Sequence, residues 1–219
     1  MASTPPSSAP SAAADEAPAT GLAASQLRRM RKIVDEAVAL AEREGFDGVR
    51  LRDVAEASGV ALGTLYKYFR SKEDILLFAA NEEAVKMEDV MCARPPSGDT
   101  PIERVTAFFA RSTRGLTRRP DFARAVIRAI AAGDPGTAAN VAGFHLRTNR
   151  QIVAALRGEA PHQGDDLTEL VGTEREQAVA MVLNHVWFAS LIGWSGGLHS
   201  VKTVPERVRQ TAHLLLDAS

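Results

Sequence analysis

Residues Gly59–Lys72 read GVALGTLYKYFRSK, and the fold of the chain turns on how this stretch is placed. Glycines lie near its start, Leu65 and Phe69 stand four apart, and Thr64, Tyr66, Lys67 and Tyr68 fall around them. On a helix beginning near Leu62, Leu65 and Phe69 share the core side while Gly63, Thr64 and Lys67 share the exposed one. That exposed side suits a nucleic acid. Gly63 lets backbone approach a groove, Thr64 offers a hydroxyl and a methyl to base edges, and Lys67 brings a mobile charge to a phosphate. Tyr66 and Tyr68 add phenolic donors, although either ring alone reads equally well as packing.

The flanks complete a unit. Upstream, RLRDVAEASG (Arg50–Gly59) turns Leu51, Val54 and Ala55 inward, with Gly59 as a left-handed stop. Before it, Met30, Ile33, Val34, Ala37, Val38 and Ala41 follow the helical period, which predicts a first helix of roughly 20 residues from Ser25 to near Gly45. Downstream, Ser71-Lys-Glu-Asp74 has the form of a capping box opening a helix through Ile75, Leu76, Phe78 and Ala79. Short helices separated by a glycine turn make a helix-turn-helix. Between Ser25 and Lys72 ten basic residues face seven acidic ones, whereas the whole chain of 219 residues carries a net charge of -1. Positive charge is therefore concentrated in this segment, as phosphate binding requires. Lys72, in the first turn of the next helix, joins its charge to free backbone N–H groups.

The remaining sequence sets the limits. Hydrophobic residues make up 45% of the chain, enough for a sizeable core. Residues 1–24 (MASTPPSSAPSAAADEAPATGLAA) hold almost no large apolar side chain and read as a disordered low-complexity tail. The single cysteine, Cys92, excludes an internal disulfide and multi-cysteine metal sites and fits a reducing cytoplasm. No signal peptide and no membrane-spanning window are legible, so a soluble, cytoplasmic protein without membrane attachment is expected. None of the five histidines pairs with another at helical spacing, and His185, on an apolar segment, reads as a core residue. No metal, cofactor or catalytic residue is assigned, for the chain lacks a nucleophile elbow, a phosphate loop and a zinc-binding helix motif. After CARPPSGDTP (Cys92–Pro101), helical stripes recur to the C-terminus with no period-2 segment, so the chain is expected to be all-α with about nine helices.

Taken together, RLRDVAEASGVALGTLYKYFRSKEDIL (Arg50–Leu76) resembles the DNA-binding domain of the TetR/AcrR family of bacterial transcriptional regulators. The resemblance implies a helix-turn-helix domain over 25–72, a connecting helix over 73–92 and a ligand-binding and dimerisation domain over 93–219. It also implies that Arg52, Leu62, Gly63, Thr64, Tyr66, Lys67, Tyr68 and Lys72 meet double-stranded DNA, with a homodimer on a palindromic operator. Two departures stand out: Arg50 and Ala61 occupy positions where the family often has a capping hydroxyl. Each forgoes a cap worth about 1 kcal/mol, and Arg50 becomes a candidate phosphate contact instead.

The C-terminal region fits those roles in its residue types. Ala189, Gly193 and Gly197 permit close helix approach beside Trp194, a suitable dimer interface. Phe108, Phe109, Phe122, Val126, Ile127, Ile130, Phe144 and Trp187 supply an apolar pocket for a hydrophobic small-molecule effector. Arg118, Arg119, Arg124 and Arg128 read either as a mouth for an acidic ligand or as a solvated face. The segments FARAVIRAIAAGDPGTAANV (122–141), HVWFASLIGW (185–194) and VPERVRQTAHLLL (204–216) further resemble a branch of the family that represses cholesterol-catabolism genes in actinobacteria. That likeness implies a steroid or fatty acyl-CoA effector, although the loop Arg157 to Gly172 is longer and more polar than the likeness would suggest. Open alternatives are a ligand-promoted regulator or activator of the same fold and, more remotely, an acyl-CoA- or steroid-binding enzyme or carrier.

Overall fold

The structure, a computed structural model, describes residues 17–161 and 171–217, with side chains from residue 24 onward. The described residues form nine α-helices and no strand. In order they are α1 (Ala17–Gly48), α2 (Leu51–Ser58), α3 (Leu62–Leu65), α4 (Lys72–Ala93), α5 (Pro101–Thr117), α6 (Pro120–Ala131), α7 (Ala138–Arg157), α8 (Glu174–Ser195) and α9 (Thr203–Leu216), with one 3-10 turn at Pro135–Thr137.

Helix α1 is longer than its periodicity indicated. It begins at Ala17, eight residues before Ser25, and runs through Gly45 to Gly48. Gly45 is where the regular helix gives way: its φ of 69° is a left-handed conformation that costs a residue without Cβ little, so the chain bends there rather than ending. Residues 1–16, most of the expected tail, lie outside the described residues, as do 162–170, most of the polar loop before α8.

Two apolar clusters divide the molecule. The first joins α1 to α4 through Ile33, Val34, Ala37, Leu65, Phe69, Ile75 and Leu76, and extends into α6 through Phe122, Val126, Ala129 and Ile130. The second gathers α5, α7, α8 and α9 around Phe108, Phe109, Ile152, Leu183, Trp187 and Leu191, and takes Ile127 from α6. Helix α6 therefore buries both flanks, one in each core, and its most extensive partner is α1. Its single strong stripe could not reveal this, because both flanks draw on the same short run of apolar residues.

The long helices are well terminated. Thr100 opens α5 and Thr173 opens α8 with full capping boxes to Glu103 and Glu176. One sequence expectation fails at α8: it contains an 18-residue window apolar enough, by length and composition, to cross a membrane. In the fold 39% of that window is buried, with α8 packed against α6, α7 and α9.

Candidate DNA interface and ligand cavity

The α2–α3 unit is built from backbone and packing rather than side-chain caps. Helix α2 stops at Gly59 (φ 65°), where the Val60 N–H donates to the Ala55 carbonyl and the Gly59 N–H to that of Glu56, a Schellman closure. Neither Arg50 nor Ala61 makes a side-chain cap, as their residue types imply. The recognition segment keeps α-helical form only over Leu62–Leu65, then continues as turns to Tyr68, shorter than the helix to Phe69 that the spacing indicated. Leu65 is fully buried and Phe69 nearly so, with Phe69 edge-on to Phe78 at 5.7 Å between ring centroids. These two anchors fix which side faces outward.

Outward lie Arg50, Arg52, Gly63, Tyr66 and Lys67, with Tyr66 53% exposed despite its ring. Leu62, Thr64 and Tyr68 are half-buried, and Leu62 and Tyr68 pack against the first core. Lys72 is placed differently from the expectation. Its ammonium donates to the Phe46 carbonyl at 3.0 Å and sits 4.0 Å from the centre of the Phe46 ring. The lysine therefore ties the end of α1 to the start of α4, and this bond uses one of the three donors of its ammonium.

The start of α4 is a junction that sequence reasoning did not find. Ser71 Oγ accepts from the Asp74 N–H, as a capping box requires, but the Asp74 carboxylate takes the N–H of Arg70 and the amide of Asn140, 66 residues on. Arg70 in turn donates to the Gly136 carbonyl at 2.5 Å. The only signal available was Asp74 itself, an acid inside an apolar run.

Between the two cores lies a cavity of about 260 Å³. Phe108, Phe122, Val126, Ile127, Ile130, Phe144 and Trp187 line it as expected; Phe109 is buried beside it, stacked at a tilt on Trp187. Trp187 donates its indole N–H to Thr113 at 2.9 Å, so it is a core residue and a wall at once. A wall that residue types did not indicate comes from α4, through Ala84, Met87 and Val90. Nor did they single out the buried polar groups Ser112, Thr148 and Gln151, of which the Ser112 hydroxyl has no hydrogen-bond partner among the described residues.

The four arginines separate. Arg118 and Arg119 line the cavity beside Lys86 and Glu83, whereas Arg124 pairs with Asp121 and lies over Trp194, and Arg128 pairs with Asp47 of α1. Arg119 also hydrogen-bonds Glu42 of α1, and that contact holds its guanidinium charged. Beyond the cavity, a buried pair of Arg147 and Glu88 at 2.5 Å joins α7 to α4.

Of the expected dimer residues, Ala189 and Gly197 are exposed, Ala189 on the same apolar side of α8 as Met181, Val182 and Ile192. Gly193 faces the chain's own His199, whose ring lies 2.6 Å from where a Cβ would stand, and Trp194 is half-buried against the second core. His185 is exposed rather than buried, because it lies on that outward side of α8. His145 is the inward histidine: burial, then the neighbouring His185, lowers its pKa, while a contact with Asn184 partly offsets this.

Known proteins match this arrangement. The pattern described as bacterial regulatory proteins, tetR family, covers residues 33–79, and that described as a tetracyclin repressor-like C-terminal domain covers 98–215. The chain is 32% identical to the HTH-type transcriptional repressor KstR of Rhodococcus jostii, over 87% of this chain and 84% of that protein. Its fold is similar to a TetR transcriptional regulator from a Rhodococcus species at a TM-score of 0.73, with 23% identity over 88% of this chain and 97% of that one. It is also similar to FadR of Thermus thermophilus, described as a TetR-family repressor in complex with lauroyl-CoA, at a TM-score of 0.59 with 19% identity over 85% and 93% of the two chains. The relatives are transcriptional regulators rather than enzymes, which sets aside the catalytic reading. A helix-turn-helix head whose fourth helix walls a cavity, together with matches spanning both regions, shows that the chain belongs to the TetR family of transcriptional regulators.

Proposed function

We propose that this protein is a dimeric repressor, acting in the bacterial cytoplasm, whose two heads hold a palindromic operator until a hydrophobic effector enters the cavity. Arg50, Arg52, Leu62, Gly63, Thr64, Tyr66, Lys67 and Tyr68 form the DNA face, with Lys72 as a second-line phosphate ligand. The outward apolar side of α8, with Met181, Val182, Ala189 and Ile192, is the dimer face. A two-fold axis then sets two recognition helices in successive major grooves.

The observation that carries the reading is Arg119. It stands at the cavity and bonds to Glu42 on α1 of the head, so a ligand anion drawn to it competes with the contact between α6 and α1. Effector binding and operator binding are thereby coupled, and the coupling is limited by the effector's differential affinity for the two arrangements. An acyl-CoA, with a steroid or fatty acyl body, suits the site. Its apolar part fills the aromatic cavity, its phosphates meet Arg118, Arg119 and Lys86, and a polar atom on the body satisfies Ser112. At about 260 Å³ the cavity is just under the range of roughly 300–1,000 Å³ common for ligand sites, so a steroid-sized body requires α4 and α6 to part slightly. The relative named for a lauroyl-CoA complex supports the ligand class, and the KstR relative supports the sign of regulation.

The test is titration of an operator complex, obtained by selection from random duplexes, with lauroyl-CoA and with a steroid acyl-CoA. Release by either supports the proposal. Tighter binding identifies a corepressor system, and indifference to both removes acyl-CoA as the effector class.

A further inference from the structure

Helices α4 and α5 both line the cavity, yet they are not packed closely on each other: α4 packs on α1, α6 and α7, and α5 on α6, α7 and α9. Side chains bridge the seam between them. At the end of α4, Arg111 of α5 donates to the Arg94 carbonyl and, at 3.4 Å, to the Met91 sulfur. One turn before Met91, Met87 reaches across to Gly115. This seam is also the exposed side of the cavity. Along α5 the lining passes from the buried Phe108 and Ser112 through the half-buried Gly115 to the exposed Arg118, and on α4 Lys86 and Val90 are exposed beside Met87.

Gly115 gives the second observation. A glycine close to the end of a helix commonly takes a left-handed φ, but Gly115 is not one of the glycines with positive φ, and its helical conformation is one that alanine holds more stably. Turn chemistry therefore does not account for it. Met87 does, because its terminal methyl occupies the space that a Cβ on Gly115 would take. Met87 is half-buried and packs at the margin of the second core, and its unbranched, flexible thioether can leave this seat while both helices stay in place.

We infer that Met87, seated on Gly115, gates the effector cavity and sets how broad an effector body it accepts. The inference rests on the effector reading above. With Met87 on its seat the seam is narrowed and the cavity holds about 260 Å³, just under the common range of roughly 300–1,000 Å³. With Met87 swung aside, an apolar body passes between α4 and α5 while its anionic end stays at the rim beside Lys86 and Arg118. A thin acyl chain asks little of the gate, whereas a fused-ring body needs the side chain displaced.

The experiment follows tryptophan fluorescence, Trp187 being a wall of the cavity, as lauroyl-CoA and a steroid acyl-CoA are mixed with wild type, Met87→Ala, Gly115→Ala and the double variant. Met87→Ala is expected to raise both the steroid-to-lauroyl affinity ratio and the association rate of the steroid thioester by about tenfold or more, the scale on which an apolar pocket discriminates by size. A side chain that only packs the core would weaken both ligands together, so an unchanged ratio overturns the gate. Gly115→Ala is expected to shift the ratio in wild type and to leave it unchanged in a chain already carrying Met87→Ala, because the added methyl acts by unseating the methionine. Equal shifts in both backgrounds, or none in either, overturn the seat. Anilinonaphthalene sulfonate, an aromatic anion unrelated to CoA, is the third probe. If neither thioester binds wild type, acyl-CoA falls as the effector class; faster entry of this probe into Met87→Ala than into wild type still supports the gate, and an equal rate overturns it.

Discussion

The head and the body of this protein are held together by different means. In the head, α2 and α3 are short, lack side-chain caps at Arg50 and Ala61, and persist because Val54, Leu65 and Phe69 are buried. In the body, α5 and α8 are long and closed by complete capping boxes, and a buried ion pair adds a polar tie to the apolar core. The difference teaches where rigidity is placed. The head depends on neighbours, α1 of the head packing most extensively on α6, whereas the body's helices carry their own caps.

The sharpest way to break this comparison is to remove a head anchor. Leu65→Ala is expected to cost about 2–5 kcal/mol in urea unfolding and to abolish operator binding, since it is the one buried residue of α3. Arg147→Ala comes next, at about 3–5 kcal/mol, because it removes the cation paired with the buried Glu88 side chain, and Glu88→Gln in the same chain should recover part of the loss. By contrast Arg128→Ala removes an exposed partner of Asp47 and should cost under about 1 kcal/mol in the same assay. Caps sharpen the contrast from both sides. Thr173→Ala should destabilise by about 1 kcal/mol in thermal unfolding, whereas Ala61→Ser should stabilise the head by a similar amount by supplying the cap it lacks.

The smallest effect is a pH dependence confined to the body. The Arg157 guanidinium, then the Thr173 N–H, holds the Glu176 carboxyl at about 2, from an ordinary 4.5. A depressed carboxyl pKa contributes stability that is complete above pH 4.5 and is lost as pH falls toward 2. Stability curves of wild type and Glu176→Gln should therefore converge across that interval and remain separated above it. Equal separation at all pH values would show that the carboxylate charge contributes nothing.

The sequence displayed the head far better than the body. Helical spacing, Gly59 and the Leu65–Phe69 pair are local signals, so the recognition segment and its outward residues were legible without coordinates. The Lys72 contact with the Phe46 carbonyl was not legible, because that partner comes within reach only once α1 bends at Gly45. The Arg119–Glu42 and Asp74–Asn140 contacts span 77 and 66 residues, beyond any periodicity. The cavity's aromatic wall could be guessed from residue type, but its α4 side and the unpartnered Ser112 depend on how helices cross. His185 shows the converse error, an apolar neighbourhood in sequence that becomes an outward face in space.

The account stands or falls on whether the outward residues of the recognition segment read DNA. Selection of bound duplexes from a random library by the ligand-free protein, beside a Thr64→Ala, Tyr66→Ala, Lys67→Ala variant, tests this directly. The account predicts an inverted repeat enriched by wild type and not by the variant, which keeps its fold because none of the three residues is buried. Equal enrichment by both proteins, or none by wild type, would contradict it.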